Sequence, residues 1–139
     1  MPTETIFQKI LKHEVPSEVV YEDDGALAFM DIVPNARGHV LVIPKGETGE
    51  NLTDTDETAM APVWRAVHHI APRIIEAVEA AGFNVIMNNG HAAGQRVFSP
   101  HVHIVPRFDG DGLEPWPKIE RSVEEIAADA VIIRAALKE

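Results

Sequence analysis

His101 and His103 flank Val102 in the stretch Ser99-Pro100-His101-Val102-His103-Ile104-Val105-Pro106. Side chains along an extended strand point alternately to opposite faces. The two imidazoles therefore share one face, and Val102 and Ile104 anchor the other in a core. Imidazole titrates near neutral pH and serves as base, nucleophile or metal ligand, so two on a rigid strand can converge on one small target. Upstream, Asn88-Asn89-Gly90 and Gly94-Gln95 form a glycine-bearing loop whose N–H groups can line an anion site. Loop and paired histidines together mark a site more strongly than either alone. His39 heads the apolar run Val40-Leu41-Val42-Ile43-Pro44 and is a third candidate. His39, His101 and His103 could form a three-histidine zinc set, but acid–base or nucleophilic use competes with that and no metal is assigned. His13, His68, His69 and His91 lack matching partners and read as surface or packing residues.

The elements that must position these residues follow from local patterns. Residues 3–11 read as a short helix, with Thr3 or Thr5 as N-cap and Ile6, Phe7, Ile10 and Leu11 at helical spacing. A strand over 19–22, the turn Asp23-Asp24-Gly25 and a strand over 26–32 form a hairpin. Residues 39–44 make a buried third strand. Residues 53–81 are helical in pattern, but Pro62 and Pro72 predict a kink or two helices, and Gly82 a stop. Strands over 83–87 and 102–107 follow, separated by the glycine-bearing loop. After Arg107 the chain turns acidic and extended, until Ser122-Val123-Glu124-Glu125 opens a helix to about Leu137 with a capping box. The fold class is α+β: an antiparallel sheet of about five strands, one main helical segment and a C-terminal helix.

The chain has 139 residues, enough for a single domain, with 45% hydrophobic content and no cysteine. That removes disulfides and thiol chemistry and fits a reducing compartment. The net charge of -10 opposes binding to nucleic acid or anionic membranes, though a local site can still hold one phosphate. The N-terminus lacks a signal-peptide pattern, and no apolar run would span a bilayer. A cytoplasmic location is the expectation.

Several separated motifs, in order, resemble the histidine triad (HIT) family of nucleotide hydrolases, in the branch that includes nucleoside phosphoramidases. They are Thr5-Ile6-Phe7, Glu14-Val15-Pro16, Glu22-Asp23-Asp24, Ala28-Phe29-Met30-Asp31-Ile32, His39-Val40-Leu41-Val42-Ile43-Pro44-Lys45, Asn88-Asn89-Gly90, and Gly94-Gln95 leading into His101-Val102-His103. The resemblance spans about residues 5–107 and leaves 108–139 as a tail. It implies a HIT-like fold, a homodimer and no cofactor.

In the family's His-x-His-x-His element the middle histidine, here His101, is the nucleophile. Ser99 stands at the first histidine position and Pro100 at the spacer, a departure from the pattern. A serine still supplies the backbone carbonyl that orients the imidazole. The resemblance also implies that Ile6, Phe7, Ile10 and Phe29 sandwich a purine base and that Asp31, beside Ile32, holds the ribose hydroxyls. Asn88, Gly94, Gln95 and His103 would surround the α-phosphate, His39 would support from outside the triad, and Arg96 and Ser99 complete the nucleotide-binding set. Arg96 replaces a small hydroxyl residue that in some relatives touches phosphate or leaving group. The implied activity is cleavage of nucleoside 5′-phosphoramidates, or related nucleoside phosphate derivatives, through a nucleotidyl-histidine. The alternatives are a dinucleoside polyphosphate hydrolase of the same superfamily or a non-catalytic nucleotide-binding or sensing protein. An AMP- or GMP-like nucleotide is the expected partner.

Overall fold

The computed structural model describes residues 4–138. Helix α1 (Ile6–Leu11) is followed by strands β1 (Val19–Glu22), β2 (Ala26–Met30) and β3 (Val40–Pro44), then helix α2 (Glu57–Val78). Strands β4 (Gly82–Ile86) and β5 (Val102–Arg107) complete the sheet, and α3 (Val123–Leu137) follows the extended tail. The strands form one antiparallel sheet in the order β1-β2-β3-β5-β4. This is the expected α+β architecture with five strands. Among the described residues, no helix is long and apolar enough to cross a membrane.

Strand alternation divides the core in two. Ala26, Ala28, Val40, Val42, Val102 and Ile104 face α2, which presents Met60, Val63, Ala66, Val67, Ile70 and Ala71. Leu27, Phe29, Leu41 and Ile43 face the other way, against Phe7 and Ile10 of α1. The odd-numbered positions 101 and 103 fall on this second face. Val102 and Ile104 are fully buried on the first, as their alternation requires.

Local caps fix the helix ends. Thr5 closes α1 with a capping box to Gln8, Asp56 caps α2, and Ser122 and Glu125 form the box expected for α3. Thr3, the other expected N-cap, lies outside the described residues.

Three boundaries correct the sequence reading. The stretch holding Pro62 and Pro72 is one helix rather than two. Each proline removes a single backbone bond, and the long apolar face buried on the sheet holds the helix through both. The helix ends not at Gly82 but at Val78, with Glu79 left-handed at φ 58°, and Gly82 opens β4. Strand β2 stops at Met30, because Asp31 turns the chain by accepting the Val33 N–H at 2.8 Å.

Pro62 also has a packing role. Its ring lies over the β1–β2 turn so closely that a Cβ built at Gly25 would stand 2.5 Å from Pro62 Cβ. Only glycine fits beneath it.

Candidate active site

On the α1 face, β2, β3, β5 and the loop before β5 enclose an open cleft of about 680 Å³. Its apolar wall includes Ile6, Phe7, Ile10 and Phe29; its polar wall includes Asp31, Asn88, Gly94, Arg96, His101 and His103, with Ile32 at the rim. The structure thus brings eleven of the residues singled out from sequence to one cavity. His39, Gln95 and Ser99 stand behind it.

The three histidines form a directed set whose tautomers are fixed by backbone partners. Pairing of β3 with β5 sets Leu41 opposite His103, and His39, just before β3, reaches the same ring. The Asn35 N–H donates to His39 Nδ1 at 3.0 Å, so the His39 proton sits on Nε2. His39 Nε2–H then donates to His103 Nδ1 at 2.9 Å. That leaves the His103 proton on Nε2, which has no hydrogen-bond partner among the described residues. His101 runs the other way: its Nδ1–H donates to the Ser99 carbonyl at 2.7 Å. The lone pair of His101 is therefore on Nε2. The rings of His101 and His103 lie 5.0 Å apart, so a nucleophilic nitrogen and a hydrogen-bond donor stand side by side.

Burial explains why these rings stay neutral. His39 is only 1% exposed and His101 6%. Desolvation pushes both below the usual histidine value, against the opposing pull of Asp31 and, at His101, of the Ser99 carbonyl. His103 is driven down to about 4, first by burial and then by the neighbouring His101 and His39, with Asp31 opposing. Asp31 Oδ2 lies 3.4 Å from His39 Nε2.

The backbone around Ser99 accounts for the departure at positions 99 and 100. A residue preceding proline is held extended, so buried Pro100 keeps the Ser99 carbonyl aimed back at His101. The Ser99 hydroxyl lies away from the cleft, 2.6 Å from Thr5 Oγ1. Phe7 of α1 meets the His101 ring edge-to-face at 4.8 Å.

Gln95 is buried and fully engaged. Its Oε1 accepts the Gly90 N–H at 2.8 Å, and its Nε2 donates to the carbonyls of Glu50 at 2.6 Å and Val97 at 3.0 Å. It braces the loop before β5, with both side-chain N–H groups committed to backbone carbonyls. Gly94 sits at φ 89°, a conformation that favours glycine, and turns the loop toward the cleft. Thr5 and Asn35 were not among the residues singled out for the site. A cap signal marked Thr5 only as a helix start, and no sequence pattern marked Asn35.

A metal fits this donor set poorly. Asp31, His39 and His103 each offer a ligand atom within 4.8 Å of one another, whereas His101 is outside this group. A histidine that ligates through one nitrogen ordinarily donates its other N–H to an acceptor. At His39 that other nitrogen accepts from Asn35, so a metal on Nε2 would require a doubly deprotonated ring. A neutral hydrogen-bonded chain suits the geometry better.

Comparison with known proteins gives a consistent picture. The HIT domain family model matches residues 12–110. The chain is similar to the protein named hit of Bacillus subtilis, 46% identical over 109 residues that make up 78% of this chain and 74% of that one. It is 37% identical over 113 residues to an Arabidopsis thaliana adenylylsulfatase, covering 81% of this chain and 57% of the plant protein. Among solved structures, a histidine triad nucleotide-binding protein from Candida albicans matches with a TM-score of 0.84 at 30% identity, over 97% of this chain and 98% of that one.

Proposed function

The chain belongs to the HIT domain family, and from that premise we propose that it binds a purine nucleotide and hydrolyses nucleoside 5′-phosphoramidates or related nucleoside phosphate derivatives at the α-phosphorus. The observation that carries this reading is the pair of opposed tautomers, a lone pair on His101 Nε2 beside a proton on His103 Nε2, with both rings lining one cleft. Neutral His101 attacks phosphorus, and the P–N bond breaks with its electron pair going to nitrogen. The nitrogen takes up a proton and leaves as an amine. His101 keeps its Nδ1–H on the Ser99 carbonyl and becomes a cationic nucleotidyl-imidazole. Water then attacks phosphorus, releasing the nucleoside monophosphate and a proton and restoring the neutral ring. His103 Nε2–H, the Asn88 amide and N–H groups of the loop stabilise charge on the non-bridging oxygens.

The apolar wall of Ile6, Phe7, Ile10 and Phe29 suits a purine ring, and the Asp31 carboxylate at its edge suits ribose hydroxyls. A second nucleotide or sulfate, the latter suggested by the name of the plant relative, are leaving groups for the same chemistry. The proposal includes a cytoplasmic homodimer. Edge strand β4 exposes Phe83 and Val85, and α3 exposes Val131, Ile132 and Ile133, apolar surface that a second copy would cover. Light scattering tests the dimer.

Hydrolysis of adenosine 5′-phosphoramidate by the wild type and by His101→Ala tests the activity. Turnover that collapses in the variant supports it. Tight binding of AMP by a wild type that turns over neither phosphoramidates nor dinucleoside polyphosphates would replace it with the non-catalytic reading.

A further inference from the structure

Arg96 is the one fixed positive charge among the residues lining the cleft, and Asp31 the one carboxylate. They come from different elements: Asp31 directly follows β2, and Arg96 lies in the loop before β5, two residues after Gly94. Arg96 is exposed, and in a chain of net charge -10 an exposed arginine lining such a site is available to an anion. The ion pairs of the described residues engage Lys12, His39, Lys45, Arg107 and Arg121, and none engages Arg96. Its backbone position is fixed from both sides, because Gln95 bonds Gly90, Glu50 and Val97.

We propose that Arg96 is a specificity-determining residue that selects substrates whose leaving group carries its own anionic group, such as a carboxylate, beyond the α-phosphate. The inference rests on the nucleotide-hydrolase reading given above. With phosphorus at His101 and the nucleoside along the apolar wall and Asp31, the leaving group departs on the side away from the His101 nitrogen. The reaction itself is unchanged: His101 Nε2 bonds to phosphorus, the P–N bond breaks, and the leaving nitrogen takes the electron pair and a proton. Arg96 meets a charge already present in the bound substrate, so it acts on KM more than on kcat.

The test uses two adenosine 5′-phosphoramidates of matched size, whose leaving amines are 3-aminopropanoate and 3-aminopropanamide. Each is assayed with wild type, Arg96→Gln and Arg96→Lys. The readout is the ratio of kcat/KM for the carboxylate over the amide, which cancels any effect of a variant common to both substrates. Wild type should favour the carboxylate by about tenfold, mostly through KM. The ratio should fall about tenfold in Arg96→Gln and largely persist in Arg96→Lys. Turnover of both compounds with a ratio that Arg96→Gln leaves unmoved overturns the inference and leaves the hydrolase reading standing. Absence of turnover of both compounds in wild type refutes the phosphoramidase reading instead. The same pair is then compared by calorimetric titration, where a carboxylate preference lost in Arg96→Gln sustains the anion subsite and an equal Kd for the two refutes it.

Discussion

The Thr5 and Ser99 hydroxyls lie 2.6 Å apart, tying the N-cap of α1 to the residue whose carbonyl holds His101. The short first helix is thereby joined to His101 twice, since Phe7 also packs against its ring. Thr5→Val removes both the cap and the bridge. It should cost about 1 kcal/mol of stability and lower kcat, whereas Thr5→Ser should keep both. Ser99→Ala retains the carbonyl and should reduce kcat less than Thr5→Val does. Chemical denaturation and steady-state kinetics on the three variants check this ordering.

The tautomers are open to direct observation. Nitrogen-15 NMR at neutral pH should show His101 protonated on Nδ1 and both His39 and His103 on Nε2. His39→Ala removes the donor to His103 Nδ1 and frees that ring to change tautomer. It should lower kcat by about a hundredfold, the scale for losing one oriented donor at a developing oxyanion, with a smaller change in KM. A kcat within twofold of wild type would remove His39 from the mechanism.

Acid should affect rate and stability in the same direction. The folded-state values of His39, His101 and His103 lie below the ordinary 6.5, with His103 near 4. Between these limits the unfolded chain binds more protons than the folded one, so stability rises with pH across the interval. Tm should therefore be level above about pH 7 and fall as pH drops from 6.5 toward 4. Turnover needs neutral His101, so its acid limb should lie below pH 6.5. A rate that rises as pH falls below 6.5 would exclude neutral His101 as the nucleophile.

Gly25→Ala tests the seat of α2 on the hairpin. The added methyl would meet the Pro62 ring at 2.5 Å, with no flexible chain end to yield. The expected loss is about 1–3 kcal/mol, with little change in KM because the clash lies on the face of the sheet opposite the cleft. Pro62→Gly in the same chain, which removes both contacting ring carbons, should recover part of it.

What the sequence discloses here follows the range of the interactions. The strand alternation around His101 and His103, the hairpin turn, the N-cap at Thr5 and the capping box at Ser122 are local, and each appears in the fold. Pro62 and Pro72 misled because helix continuity was decided by a distant surface, the sheet face that α2 buries. The cleft residues and their expected roles could be gathered from the motif resemblance, but the hydrogen bonds that set the ring tautomers could not. That His39 fixes the His103 tautomer depends on the pairing of β3 with β5, and on a backbone N–H at Asn35 that carries no side-chain signature. Thr5 and Ser99 stand 94 positions apart. That the Gln95 side chain bonds three backbone groups, of Gly90, Glu50 and Val97, is likewise set by the folded chain.

That commitment separates the shape of the phosphate-side loop from the identity of its exposed side chain. Because the Gln95 amide holds the chain on both sides of position 96, the side chain there can be exchanged without re-forming the loop. On the proposal made for Arg96, a single codon would alter which substrates are favoured and leave the surroundings of His101 as they are. Divergence of preference among descendants of such a protein would begin at position 96, and a laboratory library randomised at that one position would explore it at little risk to folding.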